Sequence, residues 1–358
     1  MKTTKAGEKN TDEFVADLLR WNQKGNNRPM PWKGEKDPYK IWLSEIILQQ
    51  TRVEQGWAYY NRFVEAFPTV QQLAAAPEQQ VFKLWEGLGY YTRCKNLIAT
   101  AQYIAGELNG VFPKGFSDVL ALKGVGPYTA AAIVSFAYNQ PYAVLDSNVF
   151  RVLSRIYDIE IPIDSTEGKK HFAALAQSLL PEGKAGEYNQ ALMDFGATIC
   201  KPQPECAHCF FNNRCAAFSL SKQAALPVKE KKLKKKERWF HYIVLQHEDS
   251  IALRQRTEKD IWQQLYDVVL IEGDKKWDKT HLLQQLQKSY DIHPYQYEVI
   301  SAAANTTQKL THQTIHFSFV HLQLLQPFHL KGFLWVSKQE LPQFPFPKTL
   351  QAFLFSNL

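Results

Sequence analysis

Four of the chain's five cysteines, Cys200, Cys206, Cys209 and Cys215, fall within sixteen consecutive residues as C-x5-C-x2-C-x5-C, with Cys94 far away. Thiols this crowded either ligate a metal or close short disulfides, and nothing in the chain argues for an oxidising compartment. The N-terminal MKTTKAGEKNTDEF lacks the apolar stretch of a secretory signal, and no run approaches the length of a membrane span. A metal site in a soluble, cytoplasmic protein is therefore expected. Four thiolates suit tetrahedral zinc or a 4Fe-4S cluster, and one tight run with a single C-x2-C favours the cluster over the two short pairs of a zinc ribbon. Pro202, Pro204, Asn212 and Asn213 make the segment a loop, an unusual place to bury four thiols without a ligand.

Two carboxylates stand out from their surroundings. Glu45 lies in YKIWLSEIILQQT among Ile41, Trp42, Leu43, Ile46, Ile47 and Leu48, on a helix that is apolar almost all round. Burial there raises a carboxyl pKa, which suits a proton donor at neutral pH, although taken alone the residue also reads as an ordinary helix-surface glutamate. Asp146 opens a helix whose apolar face is Val149, Val152, Leu153 and Ile156, so it reads first as an N-cap. Between the two, LKGVGPYTAA places Gly124-Val125-Gly126 before Pro127. The glycines permit a sharp hairpin, the proline fits a first helical turn, and the amides of that helix start point outward. Such a corner either holds a phosphate through backbone amides or is a plain turn between helices.

The elements that must position these groups divide the chain in two. Up to residue 220 the apolar periodicity is helical: Phe14 to Trp21, Ile41 to Gln50, Val53 to Phe67, Val70 to Ala75, Gln79 to Trp85 and Asn96 to Leu108. Ser221 to Arg238, SKQAALPVKEKKLKKKER, breaks the pattern with eight basic against two acidic residues, and reads as a solvated basic linker over 221–238. Beyond it, Trp239 to Gln246, Ile251 to Arg254, Val268 to Glu272 and Thr314 to Leu325 read as strands, with helices at Lys279 to Gln287 and Leu350 to Leu358. Residues 1–220 and 239–358 thus form an all-α domain and an α+β domain. Nearly the whole net charge of +7 lies in the linker, so any nucleic-acid contact by the domains must be locally placed.

In combination the segments resemble the MutY-type adenine DNA glycosylases of the helix-hairpin-helix superfamily. The resemblance rests on Met30-Pro31-Trp32, SEIILQQT at 44–51, LWEGLGYYTRCKNL at 84–97, LKGVGPYTAA at 122–131, LDSNVFRVLSR at 145–155, NQALMDFGATIC at 189–200 and the cysteine run. It implies a helix-hairpin-helix catalytic domain carrying a 4Fe-4S loop over 200–215, a phosphate-binding hairpin at Lys123, Gly124, Val125 and Gly126, and a C-terminal Nudix-like domain. The implied substrate is double-stranded DNA with adenine opposite 8-oxoguanine or guanine. The implied acid is Glu45 and the group facing the sugar of the extruded nucleotide is Asp146, with Tyr128 and Asn148 orienting the pair. Arg28, Trp32 and Gln190 are expected to line the adenine pocket, and Gln50 and Tyr90 to enter the base stack.

Bifunctional relatives carry a lysine where this chain has Tyr128; a phenol cannot form an imine, so a monofunctional enzyme is expected. The second domain lacks the acidic box needed for magnesium, so pyrophosphatase activity is not expected. Its damaged-base loop, Phe-Ser-His in relatives, corresponds to Leu310-Thr311-His312, which keeps a hydroxyl and an imidazole as candidate contacts at Thr311 and His312. The first cysteine gap is five residues against the usual six. Competing readings are an endonuclease III-like or thymine/uracil mismatch glycosylase, a non-catalytic DNA-binding protein, and a ferredoxin-type carrier. A monomer is expected, with the linker as a place where partner proteins could dock.

Overall fold

The structure, a computed structural model, describes residues 4–230 and 235–358; residues 1–3 and 231–234, the latter inside the basic stretch read as linker, lie outside it. The described residues fall into two compact units, one within Met1–Ala75 and Asn96–Lys231, the other within Ala76–Lys95 and Lys232–Leu358.

The first unit is helical throughout its described residues. Its core gathers Leu18, Val152, Leu153, Phe172, Tyr188, Leu192 and Phe195 from four helices, Thr4–Lys24, Ser147–Ile156, Thr166–Ser178 and Ala185–Thr198. Each large aromatic buried here contributes enough that truncation to alanine costs about 3–5 kcal/mol. Pro38–Leu48 is a different kind of helix. Asp37 caps it by accepting the Tyr39 amide at 2.9 Å, Pro38 occupies the first turn, and every residue from Ile41 to Ile47 is buried. An all-round apolar sequence is what an interior helix requires, in contrast to the one-sided stripe of a surface helix.

The second unit holds a mixed sheet: β1 (Lys236–His247), β2 (Ser250–Gln255), β3 (Tyr266–Asp267), β4 (Val269–Gly273), β5 (Tyr297–Lys309), β6 (Gln313–Leu324) and β7 (Leu334–Ser337). The strand order is β3-β2-β1-β6-β5, with β4 also on β1 and β7 on β2. β1 runs parallel to β6 over their whole length and antiparallel to β2 and β4. Helix Lys279–Tyr290 contributes Leu282 and Leu286 to a core with Ile243, Leu245 and Leu322.

Three expectations change. Residues 76–95, read as part of the helical domain, belong to the second unit. The side chain of Glu86 accepts the Phe346 amide and the Gln351 amide group, each at 2.7 Å, and Lys83 Nζ reaches the Phe344 carbonyl at 3.0 Å. The stretch read as a solvated linker is ordered at its described ends. Leu226 is buried, its carbonyl accepts from Arg155 Nε at 3.1 Å, and Ile163 donates to the Val228 carbonyl at 3.0 Å. Lys236 already opens β1. Strand β5 was missed altogether: as an edge strand it pairs only with β6, and register shifts at Val299/Ser301 and Ala303/Thr306 destroy the period-two signal.

Candidate active site

Helix Pro38–Leu48 carries Glu45 to the wall of a cavity of about 260 Å³, near the lower end of the roughly 300–1,000 Å³ usual for small-ligand sites. Trp32, Ser44, Phe136 and Gln190 share that wall with it. Glu45 is 6% exposed, and among the described residues no cation is paired with it. Burial pushes its carboxyl up to about 7; a hydrogen bond with the Tyr128 hydroxyl pulls it down, and the charge of Asp146 pushes it up. The charge of Asp146 thus acts on Glu45, although Asp146, Tyr128 and Asn148 are not among the residues lining that cavity. Tyr128 lies in the first turn of Pro127–Tyr138, with its hydroxyl also 3.5 Å from Met193 Sδ.

Asp146 is the N-cap of Ser147–Ile156: Oδ1 accepts the Val149 amide at 2.7 Å while Oδ2 accepts Asn148 Nδ2 at 2.7 Å. Burial raises its pKa; the Val149 and Asn148 hydrogen bonds and the positive charge of Arg151 work against that rise without cancelling it. Capping and a role toward a sugar are therefore compatible, since the cap occupies a single lone pair. Arg151 extends the arrangement. It donates to Asn148 Oδ1 at 2.8 Å, to the Gly196 carbonyl at 2.7 Å and to the Cys200 carbonyl at 2.8 Å, so the backbone of the first clustered cysteine is joined to the orienter of Asp146.

The hairpin takes the expected form. Gly124 has φ +82°, open to glycine at little cost, and a Cβ there would stand 2.9 Å from Asn96 Cβ. Gly126 precedes Pro127 with open space before it, and Thr100 Oγ1 donates to the Lys123 carbonyl at 2.9 Å, fixing the turn from behind. The Gly124 and Gly126 amides donate to no described group, while Val125 N–H returns to the Leu122 carbonyl. Cys200, Cys206, Cys209 and Cys215 are all free thiols lining one small cavity with Ile156, Phe195, Ile199 and Phe218. Arg155 Nη1 lies 3.5 Å from Cys200 Sγ and donates to the Lys201 carbonyl, while Nη2 donates to the Pro202 carbonyl, shaping the loop.

Trp32 and Gln190 line the Glu45 cavity, Trp32 edge-on to Tyr60. Arg28 is not on that wall; it donates to buried Asp194 at 2.8 Å, the carboxylate that also accepts from Gln190. Gln50 is exposed in the first unit with φ +57°, and Tyr90 is exposed in the second with φ +50°. Both non-glycine residues occupy the left-handed region, a strain that often marks functional loops. Thr311 and His312 form the exposed tip of the β5–β6 hairpin, closed by Leu310 N–H to the Gln313 carbonyl at 2.8 Å, and the Thr311 hydroxyl hydrogen bonds with that of Tyr90. Asp194 and Arg151 were missed by sequence reasoning. The available signal was an acid inside the otherwise apolar run ALMDFG and an arginine one turn after Asp146.

A helical unit with a Gly-Val-Gly hairpin, an acid buried beside a cavity and a second carboxylate at a helix start is the architecture of a helix-hairpin-helix protein. Residues 43–181 match the model of the HhH-GPD superfamily base excision DNA repair proteins, and residues 241–355 that of the NUDIX domain. The chain is 37% identical over 252 residues to an adenine DNA glycosylase of Buchnera aphidicola subsp. Acyrthosiphon pisum, covering 70% of this chain and 71% of that one. It is 30% identical over 347 residues to the adenine DNA glycosylase of Buchnera aphidicola subsp. Schizaphis graminum, covering 94% of this chain and 96% of the relative. The solved structure of a thermostable thymine-DNA glycosylase superposes with TM-score 0.55 at 28% identity, over 60% of this chain and 99% of that one. The chain belongs to the adenine DNA glycosylase family.

Proposed function

We propose that the chain is a monofunctional DNA glycosylase that removes adenine opposite 8-oxoguanine or guanine in duplex DNA, the first step of base excision repair. The observation that carries this reading is Glu45: a buried carboxyl with no cationic partner, raised to about 7, on the wall of a cavity and under the influence of Asp146. An adenine turned out of the duplex enters that cavity. Protonated Glu45 gives its proton to a ring nitrogen, the N-glycosidic electron pair leaves with the base, and the sugar becomes an oxocarbenium-like cation. The Asp146 carboxylate stabilises that cation, by charge or by a transient ester, and ionised Glu45 then takes a proton from the attacking water. Two acids in different surroundings divide the work, as in glycoside hydrolysis. Tyr128 stands where bifunctional relatives carry an amine, and a phenol cannot form an imine with the sugar.

The cysteines suit a 4Fe-4S cluster. Among the described residues no three of them converge as ligands of one ion, whereas four separate thiols around one small cavity suit a group that offers each sulfur its own iron. Cys200, Cys206, Cys209 and Cys215 would hold it, and its four iron–thiolate bonds would supply a rigid brace for the loop. The hairpin at Lys123–Gly126 suits a DNA phosphate. The proximity of Tyr90 and Thr311 supports a role for that pair at the base opposite adenine. Among the described residues no helix is long and apolar enough to cross a membrane; we assign the enzyme to the cytoplasm, where its thiols stay reduced.

A duplex with adenine opposite 8-oxoguanine tests the proposal. Incubation should release adenine and leave a strand that breaks only after alkali. Strand cleavage without alkali, or no release, contradicts it.

A further inference from the structure

We infer that Asp194 is a positioning residue that turns the Gln190 carbonyl toward the Glu45 cavity and so makes the pocket select a base bearing an exocyclic amine. The inference rests on the reading of that cavity as an adenine pocket. Helix Ala185–Thr198 places the two residues four apart, on one face. The Asp194 side chain is fully buried and accepts from four donors: Asn26 Nδ2 and Arg28 Nη1 at 2.8 Å, Gln190 Nε2 at 3.0 Å, and Lys33 Nζ at 3.3 Å. Asn26 and Arg28 hold the carboxylate from the segment before Trp32, and Lys33 from the segment after it.

A carboxylate accepts and does not donate, so the glutamine amide has one acceptable orientation. Its nitrogen must face Asp194; reversed, it would set carbonyl oxygen against carboxylate oxygen and lose the bond. The Gln190 carbonyl is thereby left over, it accepts from no described group, and Gln190 lines the cavity with Glu45 and Trp32. A free carbonyl on that wall matches the N6 amine of adenine. It repels the O6 carbonyl of hypoxanthine and gains nothing from unsubstituted purine. A site built to pair with a polar group discriminates against analogues lacking it more strongly than an apolar wall does.

The test is single-turnover base release from duplexes that differ only in the target base, adenine, purine or hypoxanthine, by the full-length wild type, Asp194→Asn and Gln190→Leu. Asparagine can both donate and accept, so the Gln190 amide is free to reverse. We expect the adenine-to-purine rate ratio to fall about tenfold in Asp194→Asn, the scale of one hydrogen bond, with hypoxanthine gaining relative to adenine. Gln190→Leu leaves Asp194 and its other donors in place and should lower the same ratio by a similar factor, with a smaller hypoxanthine gain because the repulsion is lost but no donor replaces it, which keeps the inference testable should Asp194→Asn fail to fold. Equal losses for adenine and purine, or an unchanged ratio in Gln190→Leu, overturn it and leave the glycosylase reading standing. No adenine release by the wild type overturns both.

Discussion

Each unit buries a carboxylate against an arginine, Asp194 in the first and Asp267 in the second, and Glu45 of the first unit is treated in the opposite way. In the second unit Asp267 is fully buried and paired with Arg256, which also reaches Asp260 at 3.2 Å; Asp260 in turn pairs with Arg238 at 2.8 Å, and Arg238 with Glu272 at 2.7 Å. Burial works against the Arg256 charge, yet Asp267, Tyr242 and Asp260 together hold the guanidinium above its ordinary range, while burial still raises the Asp267 carboxyl against the pull of Arg256. In the first unit Glu45 is buried, hydrogen bonded to a phenol and under the charge of Asp146, with no cation paired to it among the described residues, and it faces a cavity. The paired acid fixes a fold, because its proton and charge are already committed. The unpaired one keeps a proton available near neutrality, which costs stability and serves chemistry.

The largest effect expected of this contrast comes from Glu45→Gln. Loss of a general acid should slow single-turnover adenine release by roughly 10²–10⁴-fold, while gel-shift binding to the mismatched duplex persists. Undiminished release by the pure variant would remove Glu45 from the chemistry. Next, Arg256→Met leaves Asp267 buried without its partner and should cost about 3–5 kcal/mol in denaturant unfolding of the second unit. A loss below 1 kcal/mol would show that this acid, too, tolerates isolation.

The third effect separates the acids by pH. Glu45 moves from an ordinary 4.5 to about 7 in the folded state. Between those values the folded chain keeps a proton that the unfolded chain has lost, so this contribution is fully present below 4.5 and disappears as pH rises through 7. It amounts to roughly 3 kcal/mol. Glu45→Gln should therefore be more stable than wild type at pH 8 and similar at pH 4.5, as read by denaturant midpoints; equal stability at both would argue that Glu45 is not desolvated. The smallest effect belongs to Tyr90→Phe. Losing its hydroxyl contact with Thr311 should weaken the preference for 8-oxoguanine over guanine opposite adenine by a few-fold, on the scale of about 0.5–1.5 kcal/mol. Thr311→Val should do the same, and the double variant should add little.

Much of the first unit was legible because its signals are local. An apolar-all-round run with one carboxylate, a Gly-Val-Gly-Pro corner and a helix opening on aspartate each specify backbone geometry within a few residues. The side-chain network behind the pocket was not: Asp194 gains its meaning from Asn26, Arg28 and Lys33, more than 150 positions away, the first two being 168 and 166 residues distant. The allotment of residues 76–95 to the second unit was equally hidden, since Glu86 is satisfied by the Phe346 amide and by Gln351. β5 was hidden for a third reason, its bulges and its exposed Val299 and Ile300. The strands β1, β2, β4 and β6 were visible from their aromatic and β-branched runs, although β1 is buried continuously from Phe240 to Leu245.

The most direct test of the account is the pH dependence of adenine release under single-turnover conditions with saturating enzyme. If Glu45 delivers the proton, the wild-type rate is level at low pH and falls about tenfold per unit above roughly pH 7, following the loss of the acid form, and the residual rate of Glu45→Gln lacks that limb. A wild-type rate that stays flat from pH 6 to 9, or a limb that survives in the variant, would contradict the claim that a buried, unpaired acid at this position drives the reaction.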